Sequence, residues 1–214
     1  MTRKIDRRAA LGTLGLGALI AACGGSESRP ETRERFGSES SCKLTPELTE
    51  GPFYVDADAV RSDIRAGRDG TPLKLAIRVR DSSCEPVRDA LADIWHCDAS
   101  GEYSTADEPF LRGVQATNAD GIAEFTTIYP GWYPGRTVHI HAKVHLDSST
   151  VLTTQLFFDD EVTSAVFTRE PYASGPERDQ FNDSDDLFDE ALLLDLSEEG
   201  DAYVGTISID VAAA

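Results

Sequence analysis

Two histidines that follow a tyrosine and an arginine are the most chemically informative feature of the sequence. The stretch WYPGRTVHIHAKV begins at residue 132 and contains Tyr133, Arg136, His139 and His141. A β-strand would project His139 and His141 from one face, where two imidazoles can bind one metal ion. An HxH pair alone suits zinc, copper or ferrous iron. Two polar residues on an exposed face are the simpler alternative.

The neighbouring tyrosine narrows the choice of metal. A tyrosine has a pKa of about 10, so it binds a metal well only when a strongly charged cation displaces its proton. Ferric iron does this, whereas zinc gains much less from a phenolate. Two phenolates and one hydroxide would neutralise the three positive charges of ferric iron. Ligation by Tyr133 together with histidine would therefore indicate Fe(III) and a second tyrosine ligand.

The elements that must position these residues are short strands. Val138, Ile140, Ala142 and Val144 alternate with the histidines and predict a core-facing side. Further runs bounded by Gly, Pro, Asp or Ser occupy residues 73–81, 90–96, 121–128, 151–158 and 202–211. The prediction is an all-β protein, an antiparallel β-sandwich with long loops and few short helical turns.

The remaining segments are expected to have structural roles. Helical turns fit near 161–168 and 185–194. The acidic run NDSDD (182–186) is interpreted as a solvated loop, with a calcium site as the alternative. Asp98 is expected to be a turn residue and Tyr129 a packing aromatic. Adjacent residues of a strand point to opposite faces, which argues against a metal shared by His96 and Cys97.

The N-terminus has the features of an export signal. Arg7 and Arg8 precede an apolar run that ends at Ala22 and is too short to span a membrane, and Cys23 follows the residues IAA. We expect a Tat-type lipoprotein signal in which Cys23 is lipidated. An ordinary secretory signal is the alternative. The expected location is the outer side of a bacterial membrane in the cell envelope, or otherwise outside the cell.

These features divide the chain into three parts. The divisions are a signal peptide at 1–22, a flexible tether rich in Gly, Ser and Glu at 23–41, and a catalytic domain at 42–214. The net charge of −18 excludes nucleic acid as a partner, because an acidic chain repels phosphate. A lipid anchor would be the only membrane contact. Export makes a disulfide plausible, and we favour Cys42 with Cys84, which would tie the N-terminal arm to the sheet.

The chain resembles the intradiol ring-cleavage dioxygenases, the non-haem Fe(III) family of the catechol and protocatechuate dioxygenases, and especially their small exported subgroup. The likeness is carried by four blocks in order: LTPELTEGPFYVD (44–56), DIWHCDASGEYS (93–104), TIYPGWYPGRTVHIHAKV (127–144) and TTQLFFDD (153–160). Their joint occurrence is specific, although each block alone is not.

The resemblance implies roles for individual residues. The iron ligands would be Tyr103, Tyr133, His139 and His141, and substrate would displace Tyr133, which then acts as a base. Arg136 would stabilise negative charge on the bound diol, and Gln155 would lie near the region that receives oxygen. The substrate pocket would be lined by Gly51, Pro52 and Tyr54.

The resemblance also implies a reaction. The protein would insert both atoms of O2 into a catechol-type aromatic diol and cleave the ring between the two hydroxylated carbons, which gives a muconate-type dicarboxylate. Because both oxygen atoms enter the product, no reductant or organic cofactor is needed. A non-catalytic β-sandwich module of the transthyretin-like or carbohydrate-binding kind is the alternative, and a zinc or copper enzyme that uses the HxH pair is another. Neither the individual catechol nor an oligomeric state is assigned.

Overall fold

The computed structural model describes residues 30–36, 42–55, 59–147 and 149–212. The strands are β1 (Pro72–Arg80), β2 (Leu91–Trp95), β3 (Arg112–Ala116), β4 (Ile122–Ile128), β5 (His139–Leu146), β6 (Ser149–Phe157), β7 (Asp195–Glu199) and β8 (Ala202–Asp210). The α-helices are α1 (Pro30–Arg35) and α2 (Asp160–Val166), and short 3-10 helices occupy Tyr172–Ser174, Asn182–Ser184 and Glu190–Leu192. Within these described ranges, no helix is long and apolar enough to cross a membrane.

The strands form two four-stranded sheets. The first sheet has the order β4-β1-β8-β7, and the second has the order β3-β2-β5-β6. Apolar residues of β1, such as Leu75 and Ile77, belong to one core cluster with Ile94, Ile140 and Val144 of the second sheet. Each such buried side chain contributes about 1.5–3 kcal/mol. The all-β sandwich predicted from the alternation is therefore confirmed.

One pairing departs from the antiparallel prediction. β1 and β8 run parallel, from Leu73 opposite Tyr203 to Arg80 opposite Asp210, whereas the other strand pairs are antiparallel. The sequence pattern also missed β3 and β7. β3 is only five residues long, and β7 (DLSEE) is a largely exposed, acidic edge strand, so neither shows a period of two. The helical turns near 161–168 and 185–194 correspond to α2 and the 3-10 helix Glu190–Leu192.

Part of the predicted tether lies against the first sheet. α1 is followed by Phe36, which is buried in a small cluster with Ala76 and Ile122. Arg33 forms a salt bridge with Asp120 at 3.2 Å. The expectation of a tether thus does not extend to residues 30–36, because an apolar ring in that stretch finds a partner on the sheet. The predicted signal peptide, Cys23 and the rest of the tether lie outside the described residues.

The arm at 42–55 fastens both sheets. Cys42 and Cys84, the pair favoured from the sequence, form a disulfide. The amide of Thr45 donates to the carbonyl of Asp210 at 2.9 Å, and the amide of Leu48 donates to that of Thr153 at 2.8 Å. The first six residues of β5 are buried whichever way they face. The histidine side of β5 is therefore not a solvent-exposed face.

Candidate metal centre

β5 brings its two histidines together on one buried face. His139 is 2% exposed and His141 is 1% exposed, and their Nε2 atoms lie 3.1 Å apart. Trp95 of β2 pairs with His141 in register and stacks on its imidazole, with ring centroids 4.9 Å apart and planes 5° apart. Backbone pairing and the indole ring together fix the orientation of His141.

The two tyrosines of the sequence motifs complete a group of four donor atoms. The Oη atom of Tyr133 lies 3.2 Å from Nε2 of His139, and the Oη atom of Tyr103 lies 3.2 Å from Nε2 of His141. Bonds from a first-row metal to nitrogen or oxygen are about 2 Å long, so neighbouring donors around one ion lie roughly 3 Å apart. The four predicted ligands have this spacing.

The protonation of the histidines also fits a bound cation. Nδ1 of His139 donates to the carbonyl of Thr137 at 2.7 Å, which leaves the lone pair on Nε2. Nδ1 of His141 is buried and has no hydrogen-bond partner among the described residues, so Nε2 carries the polar contacts of this ring. Burial lowers the pKa of His139 to about 3 and the pKa of His141 well below its usual value. Two neutral imidazoles therefore face each other, and a cation between them would make this contact favourable.

The tyrosines need a strongly charged cation before they can ionise. Burial raises the pKa of Tyr103 and of Tyr133 above 10, and the nearby Arg136 guanidinium only partly opposes this. Across the described residues, no group of three or more His, Cys, Asp and Glu could hold a metal ion. The donor set of two imidazoles and two phenols suits a hard, highly charged ion such as Fe(III) rather than zinc.

Two loops that contact each other carry the tyrosines. Oδ1 of Asp98 accepts hydrogen bonds from the amides of Ser100 and Glu102 at 2.9 and 3.1 Å, so Asp98 is a turn residue, as expected. Gly101 has φ +86°, and a Cβ there would lie 2.3 Å from the carbonyl oxygen of Trp132. The amide of Gly131 donates to the carbonyl of Asp98 at 3.0 Å. Only glycine allows these loops to approach so closely.

The arm supplies a wall beside the donors. Gly51 has φ +68°, and a Cβ there would lie 3.2 Å from Cε1 of His141. Phe53 stacks on the ring of Tyr103, with ring centroids 4.2 Å apart. Phe53 itself is 38% exposed. Pro52 is exposed. Of the three predicted pocket residues, Gly51 is in direct contact with the site.

Tyr54 and Phe53 differ from the sequence expectation. Tyr54 lies against Trp95, and its hydroxyl donates to Asp93 at 3.2 Å, so it contacts the ring beneath His141 rather than the donor atoms. Phe53 was not anticipated, although it lies between Pro52 and Tyr54 in the same block. Its place on Tyr103 depends on a tertiary contact that the block does not encode.

Arg136 is held by two partners. Its Nε donates to Oδ2 of Asp185 at 2.9 Å, and its Nη2 donates to Oε1 of Gln155. Nε2 of Gln155 donates to the carbonyl of Thr49 at 2.8 Å. Asp185 is 8% exposed, so the interpretation of NDSDD as a solvated loop is wrong at this position. Asp185 is buried because it pairs with Arg136, and this contact depends on how two loops pack together, which a sequence pattern does not show.

Arg112 joins the tyrosine loop to the arm. Its Nε donates to Oγ of Ser104 at 2.6 Å, and its Nη2 donates to the carbonyl of Ser104 at 3.1 Å. Nη1 and Nη2 also donate to the carbonyls of Val55 and Phe53 at 3.2 and 3.3 Å. Desolvation lowers the pKa of this guanidinium. This role of Arg112 depends on tertiary contacts with Ser104, Phe53 and Val55, which no sequence pattern indicates.

Tyr129 has a packing role, as expected, and the adjacent His96 and Cys97 are also buried. Burial lowers the pKa of His96 to about 4, and its ring nitrogens bond to the Cys97 carbonyl and the Thr127 hydroxyl at 2.8 and 2.7 Å. Burial also raises the pKa of the Cys97 thiol to about 12. The hydroxyl of Tyr129 bonds to that of Thr163 at 2.8 Å within the core. None of the three contributes an atom to the donor group.

Known proteins are similar to this chain in both sequence and fold. A family model described as "Dioxygenase" matches residues 46–168, more than half of the chain. An intradiol ring-cleavage dioxygenase from Tetranychus urticae superposes with a TM-score of 0.75 and 31% identity, over 80% of this chain and 95% of that chain. This chain belongs to the intradiol ring-cleavage dioxygenase family. The resemblance drawn from the four blocks is thus confirmed at the level of the family.

Curated members of the family give the same result. Catechol 1,2-dioxygenase 1 of Acinetobacter lwoffii is 31% identical in an alignment of 179 positions, which covers 68% of this chain and 57% of the relative. The protocatechuate 3,4-dioxygenase beta chain of Burkholderia cepacia is 30% identical in an alignment of 169 positions, which covers 69% of this chain and 68% of the relative. The chain therefore spans little more than half the length of the catechol enzyme that it matches.

Proposed function

We propose that this member of the intradiol family is an exported non-haem Fe(III) dioxygenase that opens a catechol-type ring between its two hydroxylated carbons. Both atoms of O2 would enter a muconate-type dicarboxylate. The observation that supports the proposal is the convergence of four donor atoms. The Oη of Tyr133, the Nε2 atoms of His139 and His141, and the Oη of Tyr103 follow one another at distances of 3.2, 3.1 and 3.2 Å. A non-catalytic sandwich would not need these four donors to converge.

The two tyrosines would act differently. Ferric iron, when bound, would supply the positive charge that ionises the phenols and draws electron density from the diol. Tyr103 is covered by the stacked ring of Phe53, whereas Tyr133 meets Phe53 only edge-on at 6.2 Å and is followed by the exposed Pro134 and Gly135. Tyr133 would therefore be the ligand that gives way to substrate, and its Oη would accept a proton from the diol. Tyr103 would stay in place.

Arg136 would stabilise the negative charge that the diol acquires. A preorganised guanidinium beside a water-poor site stabilises developing charge because it does not have to reorient during the reaction. Gln155 has its Oε1 bonded to Arg136 and its Nε2 bonded to Thr49. Its direct contribution is thus to hold Arg136. A role near the oxygen-binding region stays a prediction.

The iron proposal is tested by the visible spectrum of the iron-loaded protein. We expect a tyrosinate-to-Fe(III) charge-transfer band that shifts when catechol is added, and incorporation of both atoms of labelled O2 into a ring-opened dicarboxylate. A colourless protein with full zinc occupancy would refute the proposal. Tyr133→Phe should change the band and lower kcat at least 100-fold. Tyr129→Phe is the control, because it also removes one tyrosine hydroxyl but leaves the donor group intact.

Export and lipidation are proposed from the N-terminal signal. The disulfide between Cys42 and Cys84 supports an oxidising compartment, where such bonds persist. The test is to express the full chain in a bacterium and measure the mass and membrane association of the mature protein. Cys23→Ser should release the protein from the membrane fraction. Equal membrane association of both proteins would contradict the proposed anchor.

A further inference from the structure

One acidic residue of the 182–186 loop is buried against the candidate metal centre. The side chain of Asp185 is 2% exposed and forms a salt bridge with Arg136, whose side chain is 18% exposed. The other oxygen, Oδ1, accepts a hydrogen bond from the amide of Leu187 at 2.9 Å. Both carboxylate oxygens are thus engaged. The neighbouring acids Asp183 and Asp186 are exposed.

The contact with Arg136 determines which way its guanidinium points. Asp185 occupies Nε on one side, while Gln155 accepts from Nη2. A planar guanidinium that is bonded at two of its nitrogens has little freedom to rotate. Burying a charged pair is costly unless its geometry is well satisfied. Here the pair is buried beside the donor group, and its hydrogen bonds offset the cost of burial.

The same carboxylate also acts on the start of β5. Oδ2 of Asp185 accepts the amide hydrogen of Thr137 at 2.7 Å. The carbonyl of Thr137 is the acceptor for Nδ1 of His139. A second link joins the loop to this residue, because the Thr137 hydroxyl donates to Oδ1 of Asn182 at 2.7 Å. One loop therefore holds both Arg136 and the backbone group that orients His139.

We propose that Asp185 is a positioning residue for ring cleavage, which holds the Arg136 guanidinium at the donor group and fixes the Thr137 carbonyl that orients His139. The inference rests on the proposed dioxygenase function. It assigns a role to the 182–186 loop, which the family motifs do not cover. Asp185 acts through its neighbours and does not itself contact the diol.

The test compares Asp185→Asn with Asp183→Asn in the iron-loaded protein. Each substitution removes one negative charge from the same loop, so long-range electrostatics are matched. We expect Asp185→Asn to lower kcat at least tenfold with a smaller change in KM, and to weaken iron binding several-fold. Asp183→Asn should stay within twofold of the wild type. Equal effects of the two substitutions would overturn the proposal.

A double-mutant cycle separates positioning from general destabilisation. With iron saturating, Asp185→Asn should change kcat less than threefold in an Arg136→Met background, because the residue it orients is gone. A full tenfold loss in that background would refute the role through Arg136. If Asp185→Asn does not fold, Asp185→Glu retains the charge but displaces the carboxylate by one methylene. It should then lower kcat more than Asp183→Glu does, and equality would again contradict the proposal.

A readout independent of turnover distinguishes this inference from the proposed function. The thermal midpoints of the metal-free wild type, Asp185→Asn, Arg136→Met and the double variant report whether the two residues are coupled in the fold. Coupling with no ring opening of any catechol would mean that the proposed function fails while the ion pair stands. Ring opening by the wild type without coupling would sink the positioning role alone.

Discussion

Gly51 shows how closely the arm approaches a candidate ligand. Its backbone is in the left-handed region, with φ +68°, and a Cβ would lie 3.2 Å from Cε1 of His141. That distance is shorter than an ordinary van der Waals contact, so an added methyl group would push the imidazole or the arm aside. The glycine thus has two functions, one conformational and one steric.

Gly51→Ala tests the steric function. Gly67→Ala is the control, because Gly67 also has a left-handed φ of +79°, but a Cβ there would meet no atom of the described residues within 4 Å. Both substitutions should destabilise the fold by about 1 kcal/mol through backbone strain. Only Gly51→Ala should also weaken iron binding, by about tenfold, in a titration followed by absorbance. Equal iron affinities would show that His141 is not constrained by the arm.

Arg112 tests how far the positions of Tyr103 and Phe53 depend on one buried side chain. Arg112→Gln removes donors to both Ser104 and the arm, so we expect KM for a catechol to rise about fivefold or more. Arg61→Gln is the control, since Arg61 also donates to two backbone carbonyls, those of Arg112 and Pro109. Steady-state kinetics and the charge-transfer band measure the effect. A KM equal to that of the control would contradict the role.

The sequence revealed the ligands to different degrees. The period of two placed His139 and His141 on one face, which the structure has, but this alternation alone could not distinguish ligands from surface residues. Tyr103 came from the family block and not from any spacing. Asp185 and Phe53 were missed because their roles depend on which loop packs against which strand. Tertiary proximity of that kind leaves no periodic trace.

At the scale of elements, the arm is the piece that a strand prediction could not place. Residues 42–55 contain no regular strand or helix, yet they cover the histidine side of β5 and carry Gly51 and Phe53. Their position follows from hydrogen bonds to Thr153 and Asp210 and from the disulfide to Cys84. The alternation in β1 and β5, by contrast, was sufficient to predict the two-layer core.

Removing the disulfide should loosen the arm. It joins residues 42 positions apart, and a loop of this size contributes about 2–4 kcal/mol to the free energy of unfolding. Cys42→Ser and Cys84→Ser should each show this loss in urea unfolding, and the double variant should lose no more because the same bond is broken. KM for a catechol should rise in all three. Additive losses would mean that the cysteines stabilise the fold separately.

At the scale of the whole molecule, buried neutral histidines make stability depend on pH. His96 is 1% exposed and has a pKa of about 4, whereas an unfolded histidine titrates near 6.5. Between these values the unfolded chain binds more protons than the folded protein. Stability is therefore complete above pH 6.5 and is lost as the pH falls toward 4.

The contribution of His96 can be isolated by substitution. We expect the titration of His96 to lower the free energy of unfolding by about 2 kcal/mol at pH 5 relative to pH 8. The free energy of unfolding of the metal-free protein is measured in urea at pH 5 and at pH 8. The difference between the two pH values should be smaller in His96→Gln than in the wild type, by about the same amount. His139 and His141 are present in both proteins, so their effects cancel. An unchanged difference would argue against a neutral, buried His96.

The parallel pairing of β1 with β8 affects the order in which the protein can fold during synthesis. The second sheet is complete once β6 has emerged at Phe157, but the first sheet lacks an interior strand until β8 ends at Asp210. At a translation rate of roughly 5–20 residues per second, the 53 residues from 158 to 210 take several seconds to appear. During that interval, the apolar side of the finished sheet has no complete partner. The strand that carries the histidines is thus synthesised before the sheet that covers its apolar side is complete. Ribosome-associated chaperones would encounter the nascent chain in that state.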